Sequence, residues 1–312
     1  MATITAAVPR RRLLSRTRTP SSERKMPWRR QLVLQVLCLF VAFTVLFPVL
    51  WIVSLAVDPR GLTRPDGLNL IPPGATLKAF QEVLVQPTSN PISFLELAFN
   101  SFKLAIGTAI FSVMIGVFAA YAFSRLQFRG RQLLMLAILA VLMLPAAATL
   151  APLFVQLNAI NIGGFNLRQS LVGVGLAIIS GLLPFAIWNL KGYLDTIPKE
   201  LEEAAAVDGA NRNQTFIRII LPLAVPALAV TAFLGFVAGW TEFFFTTIFL
   251  PAGSKETTLA VALNMLVGQF ATTTPWSKFS AFAIMFALPV SVVYLLLQKY
   301  IVSGLAVGGV KG

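Results

Sequence analysis

The sequence predicts an all-α integral membrane protein with six transmembrane helices, and three observations lead to this fold class. Hydrophobic residues make up 57% of the 312 residues and charged residues only 12%, unlike the balance of a soluble domain. The apolar residues form runs close to the roughly 20 residues that a membrane-crossing helix needs. These runs lack the alternation of a membrane β-barrel, so we expect helices to satisfy their backbone hydrogen bonds.

Six apolar segments are predicted to cross the membrane. They lie at residues 32–57, 102–123, 133–157, 170–190, 221–250 and 279–302. Basic residues indicate the orientation, because cytoplasmic connections carry more lysine and arginine than external ones. If both termini are cytoplasmic, the inside segments carry 18 of these residues and the outside segments carry seven. We therefore expect both termini to face the cytoplasm.

Residues 1–30 form a basic segment that holds few apolar residues to bury, which predicts disorder. Such a leader is also typical of a transit peptide or a secretory signal. The apolar run that follows it is longer than the core of a signal peptide, about 7 to 15 residues, and this favours a retained first helix. We attribute the formal charge of +13 to basic residues that orient the chain in the membrane, and we expect no nucleic-acid partner.

A polar segment, residues 191–220, interrupts the apolar runs and predicts two short helices on the cytoplasmic side. Acids and alanines follow Pro198, which favours a helix start, since carboxylates complement the positive end of the helix dipole. Asp208 and Gly209 then predict a stop, because glycine adopts the left-handed conformation that ends many helices. Asn211 predicts the cap of a second helix. An acidic surface of this kind suits the arginines of a protein partner better than anionic lipid.

The polar segment and its continuation also carry a known spacing of residues. Three residues separate Glu203-Ala204-Ala205 from Gly209, and nine more lead to Ile219, Leu221 and Pro222. This pattern resembles the EAA loop of binding-protein-dependent ABC importer permeases at every signature position. Residues 120–131, 191–210 and 304–312 are similar to the carbohydrate branch of that family, most closely to the second permease subunit of maltose-type importers.

The resemblance covers residues 32–312 and implies a MetI-like fold with an EAA-type coupling helix, in a bacterial or archaeal inner membrane. The basic segment at 1–30 is not part of the family pattern, and after it we expect a six-helix permease domain at 31–302, with its cytoplasmic coupling loop at 191–220, and a cytoplasmic tail at 303–312. The resemblance also implies a surface that docks on an ATPase, made of Glu203, Ala204, Ala205, Asp208, Gly209, Ile219, Leu221 and Pro222.

The partners implied by the resemblance are a second permease subunit in a heterodimer, two ATP-binding subunits and an extracytoplasmic sugar-binding protein. ATP and magnesium then belong to the partner ATPase, and this chain binds no cofactor of its own. The sequence agrees independently, because it contains no GxxxxGK[ST] phosphate loop. We expect a transporter subunit and not an enzyme.

The resemblance also gives the tail a role, in which Gly308, Gly309 and Lys311 contact the ATPase subunits. The alternative is a frayed terminus, as many chain ends are. By position, Gly253, Ser254 and Lys255 are similar to an outer loop that contacts the sugar-binding protein.

Three residues are candidates for the translocation pathway. Glu242 falls within an apolar segment, where an ionisable side chain is by default a functional hypothesis. It lies about twenty residues after Pro222, so it is equally expected to reach the outer interface. Trp240 is a candidate platform for a sugar ring, although an aromatic belt at the membrane surface is the favoured explanation. Asn264 is a candidate for the outer vestibule.

The function predicted for the chain is that of a permease for maltose or maltodextrin, driven by ATP hydrolysis in a partner. One alternative keeps the architecture and replaces the substrate with another sugar or glycerol phosphate. A second alternative is a secondary transporter that works without ATP. The chain has no histidine and a single cysteine, so it offers no set of residues for a metal site or for covalent catalysis.

Overall fold

The computed structural model describes residues 27–60, 70–267 and 274–308. The chain divides into two compact units, residues 1–49 and residues 50–312. Helix α1 (Trp28–Ala56) begins in the first unit and ends in the second. The packing described below is that of the second unit.

Short helices separate the long helices along the rest of the chain. The first group comprises α2 (Lys78–Val85), α3 (Phe94–Arg125), α4 (Arg131–Val141), α5 (Ala146–Ala159) and α6 (Leu171–Leu194). A two-stranded hairpin, β1 (Asn161–Ile162) and β2 (Phe165–Asn166), and a 3₁₀ turn (Leu167–Gln169) lie between α5 and α6. The second group comprises α7 (Glu200–Val207), α8 (Arg212–Thr215), a π-helical turn (Phe216–Ile220), α9 (Leu221–Leu223), α10 (Val225–Trp240), α11 (Phe244–Phe249), α12 (Leu259–Met265) and α13 (Trp276–Gly308).

Five helical segments among the described residues are long and apolar enough to cross a membrane. They are Trp28–Ala56, Phe94–Arg125, Leu171–Leu194, Val225–Phe249 and Trp276–Ile301. All five overlap predicted spans, which confirms the helical membrane fold. The fourth contains α10 and α11, with a break at residues 241–243 between them.

The span predicted at residues 133–157 is wrong as a single helix. The structure divides it into α4 and α5, which rise about 17 and 21 Å and so fall short of the roughly 30 Å hydrocarbon core. Pro145 stands at the start of α5. Proline has no N–H to donate to the preceding turn and disfavours helical geometry in the residue before it, so α4 ends at Val141.

Helix α3 is the centre of the second unit, and it packs along both α6 and α10. The approach to α10 is close, because a Cβ added at Gly239 would lie 2.7 Å from the Cα of Ala105. Small residues allow two membrane helices to approach in this way. On its other side α10 packs against α13, which also contacts α2 and α12.

Three clusters of buried side chains fill the second unit. One surrounds Trp240 and Phe282, and another surrounds Phe249. The third joins α3, α6 and the chain that leads into α10, and it includes Val117, Leu190 and Ile220. This third cluster includes residues at both ends of the polar segment and so attaches the segment to the helix bundle.

Candidate functional site

The polar segment is closed at α7 by its own backbone hydrogen bonds. The N–H of Gly209 donates to the carbonyl of Ala206 at 3.1 Å, and that of Ala210 donates to the carbonyl of Ala205 at 2.9 Å. Gly209 has a φ of 84°, in the left-handed region. This is a Schellman ending, and it confirms the predicted stop at Gly209.

Asn211 caps the second short helix, α8, as the sequence predicts. Its side-chain oxygen accepts from the N–H of Gln214 at 2.9 Å, and the Gln214 side chain accepts from the N–H of Asn211 at the same distance. This reciprocal capping box satisfies two N–H groups that would otherwise lack partners. The polar segment therefore contains two helices whose facing ends are both closed locally.

Aromatic and aliphatic side chains attach the polar segment to the helix bundle. Phe216 and Ile220, in the π-helical turn, are 8% and 0% exposed. The ring of Phe216 lies 4.7 Å from that of Tyr121 on α3. These contacts hold the entry to α10 in place.

Arg125, at the end of α3, holds the start of α7 through polar contacts. Its Nε donates to a carboxylate oxygen of Glu202, and its Nη2 donates to the carbonyl of Ile197 at 2.9 Å. The hydroxyl of Tyr121 donates to the other Glu202 oxygen at 3.3 Å. The side chains of Arg125 and Glu202 are only 6% and 18% exposed, so this ion pair is largely shielded from water.

A second polar group joins α3 to the end of α6. Ser124 donates its hydroxyl to Asp195 at 2.6 Å, and Lys191 donates to the other oxygen of Asp195 at 2.6 Å. Burial opposes ionisation of Asp195, but the hydrogen bonds from Lys191 and Ser124 outweigh it and lower the pKa of the carboxyl. Asp195 therefore remains charged at neutral pH.

The predicted docking residues divide into exposed and inward-facing groups. Glu203, Ala204, Asp208, Gly209 and Pro222 are exposed, Ile219 and Leu221 are half-buried, and Ala205 is 7% exposed. Leu221 packs against the third core cluster. The exposed surface of α7 and of the turn that ends it therefore contains Glu203, Ala204, Asp208 and Gly209. Ala205 and Leu221 face inward.

Arg125 and Tyr121 are functional candidates that reasoning from the sequence missed. Both lie near the end of a predicted apolar span, where a basic or aromatic residue has an ordinary explanation at the membrane interface. The available signal was the stretch 120–131, which carries the likeness to carbohydrate importers. Nothing in that stretch specifies Glu202 as the partner of Arg125.

An open cleft of about 590 Å³ lies beside α7, and it is lined by both basic and acidic side chains. Arg125, Lys199 and Arg212 contribute the basic groups, and Glu202 and Glu203 contribute the acidic groups. An exposed helix next to a charged cleft is suited to receiving a folded protein partner.

Comparison with known proteins now identifies the family. Residues 112–307 match the family described as binding-protein-dependent transport system inner membrane component. The chain belongs to this family. The match contains the whole polar segment together with α6, α10 and most of α13.

Two relatives resemble this permease over almost their whole length. It is 34% identical over 285 residues to the trehalose/maltose transport system permease protein MalG of Thermococcus litoralis, covering 91% of this chain and 98% of that protein. It is 33% identical over 277 residues to the galactooligosaccharides transport system permease protein GanQ of Bacillus subtilis, covering 89% and 94%.

A solved structure shares the fold of the permease. It is a chain of a bacterial ABC transporter involved in the import of the acidic polysaccharide alginate, with a TM-score of 0.72 and 24% identity. The superposition covers 88% of this permease and 97% of that chain. The break between α4 and α5 therefore occurs within a fold shared with an ABC transporter.

Trp240 is a core residue of the permease, so the predictions of a sugar platform and of an interfacial belt are both wrong. It is fully buried, and its Nε1 donates to the carbonyl of Phe286 at 2.9 Å. The rings of Phe102, Phe236 and Phe286 surround it at centroid distances of 4.7 to 5.8 Å. The sequence could not distinguish this packing from an interface, because tryptophan favours both environments.

Glu242 stabilises the start of α11, at the break between α10 and α11. Its carboxylate accepts from the N–H of Phe245 at 2.5 Å, in the first turn of α11. A carboxylate at that end of a helix satisfies an N–H group and complements the helix dipole. Asn264 is exposed on α12.

The distal loop, residues 251–257, contains the residues predicted to contact the binding protein. Gly253 and Lys255 are exposed and Ser254 is half-buried. Asn100, only 5% exposed on α3, donates to the carbonyls of Lys255 and Thr257 at 2.7 and 3.0 Å. The sequence did not single out Asn100, because it lies two residues before the predicted span at 102–123 and nothing in the sequence indicates which backbone it contacts.

The loop is also tied to the start of α6, and the start of α12, which follows the loop, is tied to α3. Glu256 accepts from the N–H of Leu171 at 2.6 Å, at the start of α6. Ser101, fully buried, accepts from the N–H of Leu259 at 2.8 Å, at the start of α12. The distal loop is therefore fixed to α3 and α6 by buried polar contacts.

The last helix is longer than the sequence predicts. Helix α13 continues to Gly308, six residues beyond the predicted end of the final span at residue 302. Gly308 is thus helical backbone, while Gly309 and Lys311 lie outside the described residues.

Proposed function

We propose that this permease forms half of a translocation pathway for maltose and maltodextrins, and that its polar segment transmits the ATP-driven movement of a partner ATPase to the membrane helices. The observation that carries the proposal is the exposed end of α7. There Glu203, Ala204 and Gly209 lie at the surface of a helix whose ending is closed by its own backbone. Such a helix presents a preformed surface to a partner, so docking orders little of it.

The chemistry of this surface suits a partner with arginines around an apolar socket. The Glu203 side chain makes no hydrogen bond or ion pair with the residues that the structure describes, so it is available for a charge-assisted bond. Ala204 lets a partner backbone approach closely. Leu201 and Val207, 42% and 88% exposed, supply apolar area on the same helix. A core of apolar contact with charged residues at its rim is typical of protein interfaces.

The proposed complex contains a second permease subunit, two ATP-binding subunits and an extracytoplasmic sugar-binding protein. The polar segment and both termini face the cytoplasm, and ATP and magnesium belong to the ATPase. The proposed role of Gly308, Gly309 and Lys311 is contact with the ATPase subunits, and that of the distal loop is contact with the binding protein. Alternating access follows from closure of the ATPase subunits, which moves α7 and reverses the opening of the pore. Glu242 and Asn264 are the remaining candidates for this chain's part of the pathway.

The relatives support a sugar as the substrate, since one is named for trehalose and maltose and another for galactooligosaccharides. A different sugar or glycerol phosphate is the alternative within the same architecture. The alternative from another class is a secondary transporter. A secondary transporter requires ion-coupled flux by this chain alone. The exposed α7 surface would then have no role in binding an ATPase.

The test is ATP hydrolysis and sugar uptake by the complete complex in proteoliposomes. The complex contains the partner permease, the ATPase and the binding protein, and the added solutes are maltose, maltodextrins, trehalose and glycerol phosphate. We expect maltose and maltodextrins to stimulate hydrolysis and to be taken up. If only trehalose or glycerol phosphate stimulated hydrolysis, the proposed substrate would be wrong and the proposed ATP-driven mechanism would stand. Uptake that is independent of ATP would contradict the proposed function.

A further inference from the structure

We propose that Arg125 is a positioning residue that ties α3 to the polar segment through Glu202, so that movement of α7 reaches α3 directly. The proposal rests on the proposed function for its transport readout. It assigns roles to two residues outside the docking surface: Glu202 moves with α7, and Arg125 receives the displacement and transmits it to α3.

The contact has the geometry of a clamp, because Arg125 holds two parts of the chain at once. Its guanidinium reaches the carboxylate of Glu202 on α7 and the carbonyl of Ile197 in the connection before α7. Its Nη1 also donates to Ser124 at 3.1 Å, which fixes the guanidinium on its own helix. Tyr121, one turn earlier on α3, donates to the second oxygen of Glu202. Both oxygens of this carboxylate are thus engaged by α3.

The position of the clamp distinguishes it from a contact that only adds stability. The polar segment continues covalently into α6 at one end and into α9 and α10 at the other. Helix α3 is separate from it in sequence, because Arg125 and Glu202 lie 77 residues apart. Among the described residues, the side-chain hydrogen bonds between α3 and α7 are those of Arg125 and Tyr121 to Glu202.

A displacement of α3 would reach the rest of the bundle. Helix α3 packs along α6 and α10, and the backbones of α3 and α10 approach closely at Gly239. Packed helices at this distance move as rigid elements instead of deforming locally. The clamp therefore connects α7 to the helix with the most extensive packing.

Lysine cannot replace arginine in this clamp. The fork of the guanidinium donates in fixed directions to Glu202, Ile197 and Ser124, whereas an ammonium is a point charge on a flexible chain. Glu202 and Glu203 also differ sharply although they are neighbours. Glu202 is turned towards α3, while Glu203 is exposed. Glu200 is exposed in the same helix turn and has no part in the clamp, so it offers a matched control.

The first experiment measures sugar transported per ATP hydrolysed by the complete complex in proteoliposomes. The variants are R125K and E202Q, with E200Q as the control. We expect the ratio to fall about tenfold in R125K and E202Q, within the range of typical coupling free energies, while E200Q keeps the wild-type ratio. The amount of assembled complex, measured by size-exclusion chromatography, should remain at the wild-type level.

Charge reversal provides a rescue test. R125E and E202R each place two like charges together, whereas the double variant R125E/E202R restores an opposite pair. We expect the double variant to transport more sugar per ATP than either single variant. A wild-type ratio in R125K and E202Q, or a loss of assembled complex with no change in the ratio, would overturn the proposal.

A second readout is independent of transport and uses the purified chain in lipid nanodiscs. Amide hydrogen exchange in E202Q should rise together at residues 121–126 and 196–203, because both sides of the clamp are released, while E200Q should match the wild type. Unchanged exchange in E202Q would overturn the clamp whatever the substrate. A wild-type complex without ATP-driven uptake would refute the proposed function, and the exchange result would still decide whether the clamp exists.

Discussion

The polar segment and the distal loop contact opposite ends of α3, and they are held in different ways. The distal loop is fixed through its backbone, since buried Asn100 donates directly to the carbonyls of Lys255 and Thr257. The polar segment closes its helices with its own caps, and α7 meets α3 through the side chain of Glu202, while Arg125 also donates to the carbonyl of Ile197 before α7. A displacement of the distal loop breaks bonds to its backbone, whereas a displacement of α7 relative to α3 strains side-chain bonds to Glu202. The difference indicates that the distal loop is the more rigidly fixed of the two.

Replacement of a glycine in the polar segment is expected to have the largest effect on transport, and replacement of a glycine in the distal loop provides the comparison. Gly209 and Gly253 both have positive φ, 84° and 75°, and a Cβ at either would meet no atom within 4 Å. Valine at either position introduces a similar backbone strain, roughly 1–2 kcal/mol or more. We expect G209V to reduce ATP-driven uptake to below about a tenth of the wild-type rate, because it distorts the end of the docking helix.

The control for this prediction is G253V, measured in the same proteoliposomes. We expect G253V to retain the ATPase on the membrane complex and to lower only the stimulation by the binding protein. Membrane insertion, measured as protein yield after carbonate washing, should match the wild type in both variants. Normal uptake by G209V would remove the functional difference between the two ends.

Loss of the Asn100 side chain should have the next largest effect. N100A leaves the carbonyls of Lys255 and Thr257 without their buried donor, which costs about 1–3 kcal/mol. The free energy of unfolding should fall by that amount, as a lower midpoint of thermal unfolding in detergent. N264A removes an exposed amide on α12 and should leave the midpoint unchanged. Equal midpoints for the two variants would mean that the distal loop is not fixed in this way.

Removal of the Asn211 cap should have a smaller and local effect. N211A loses the side-chain oxygen that accepts from the Gln214 N–H, while its own backbone N–H can still donate to the Gln214 side chain, and such caps contribute about 0.5–2 kcal/mol. We expect faster hydrogen exchange at residues 211–216 and no change in the distal loop. N213A, at an exposed position in the same helix, should exchange like the wild type. Faster exchange throughout the chain would show that the segment does not close itself.

The smallest effect concerns the pH dependence of Asp195. Because its pKa in the folded chain is lowered, its contribution to stability is present above the ordinary value of about 3.9 and is lost as the pH falls through the lower folded pKa. The Asp195 side chain is 41% exposed, so solvent screens the effect and we expect a shift of a few degrees at most. D195N should remove this acid-dependent component from the thermal midpoint between pH 2 and 5. An unchanged pH profile in D195N would contradict it.

Local features of the chain were predictable from the sequence because they depend on neighbouring residues. The stop at Gly209 and the cap at Asn211 follow from backbone geometry within a few positions. The break at Pro145 has a local cause as well, but the length of the apolar run concealed it. Contacts such as Trp240 to Phe286 and Arg125 to Glu202 join residues 46 and 77 positions apart. Composition and spacing contain no information about such pairings, so only the fold reveals which acid faces inward.

The π-helical turn at Phe216–Ile220 has a consequence for the direction in which α7 faces. A π turn accommodates one more residue than an α turn, and each residue of an α-helix advances the chain by about 100° around the axis. The turn therefore sets the angular phase between the polar segment and α10. Deleting one residue there would change this phase by about a quarter of a circle. The direction in which Glu203 faces therefore depends on the length of the π turn as well as on the sequence of α7.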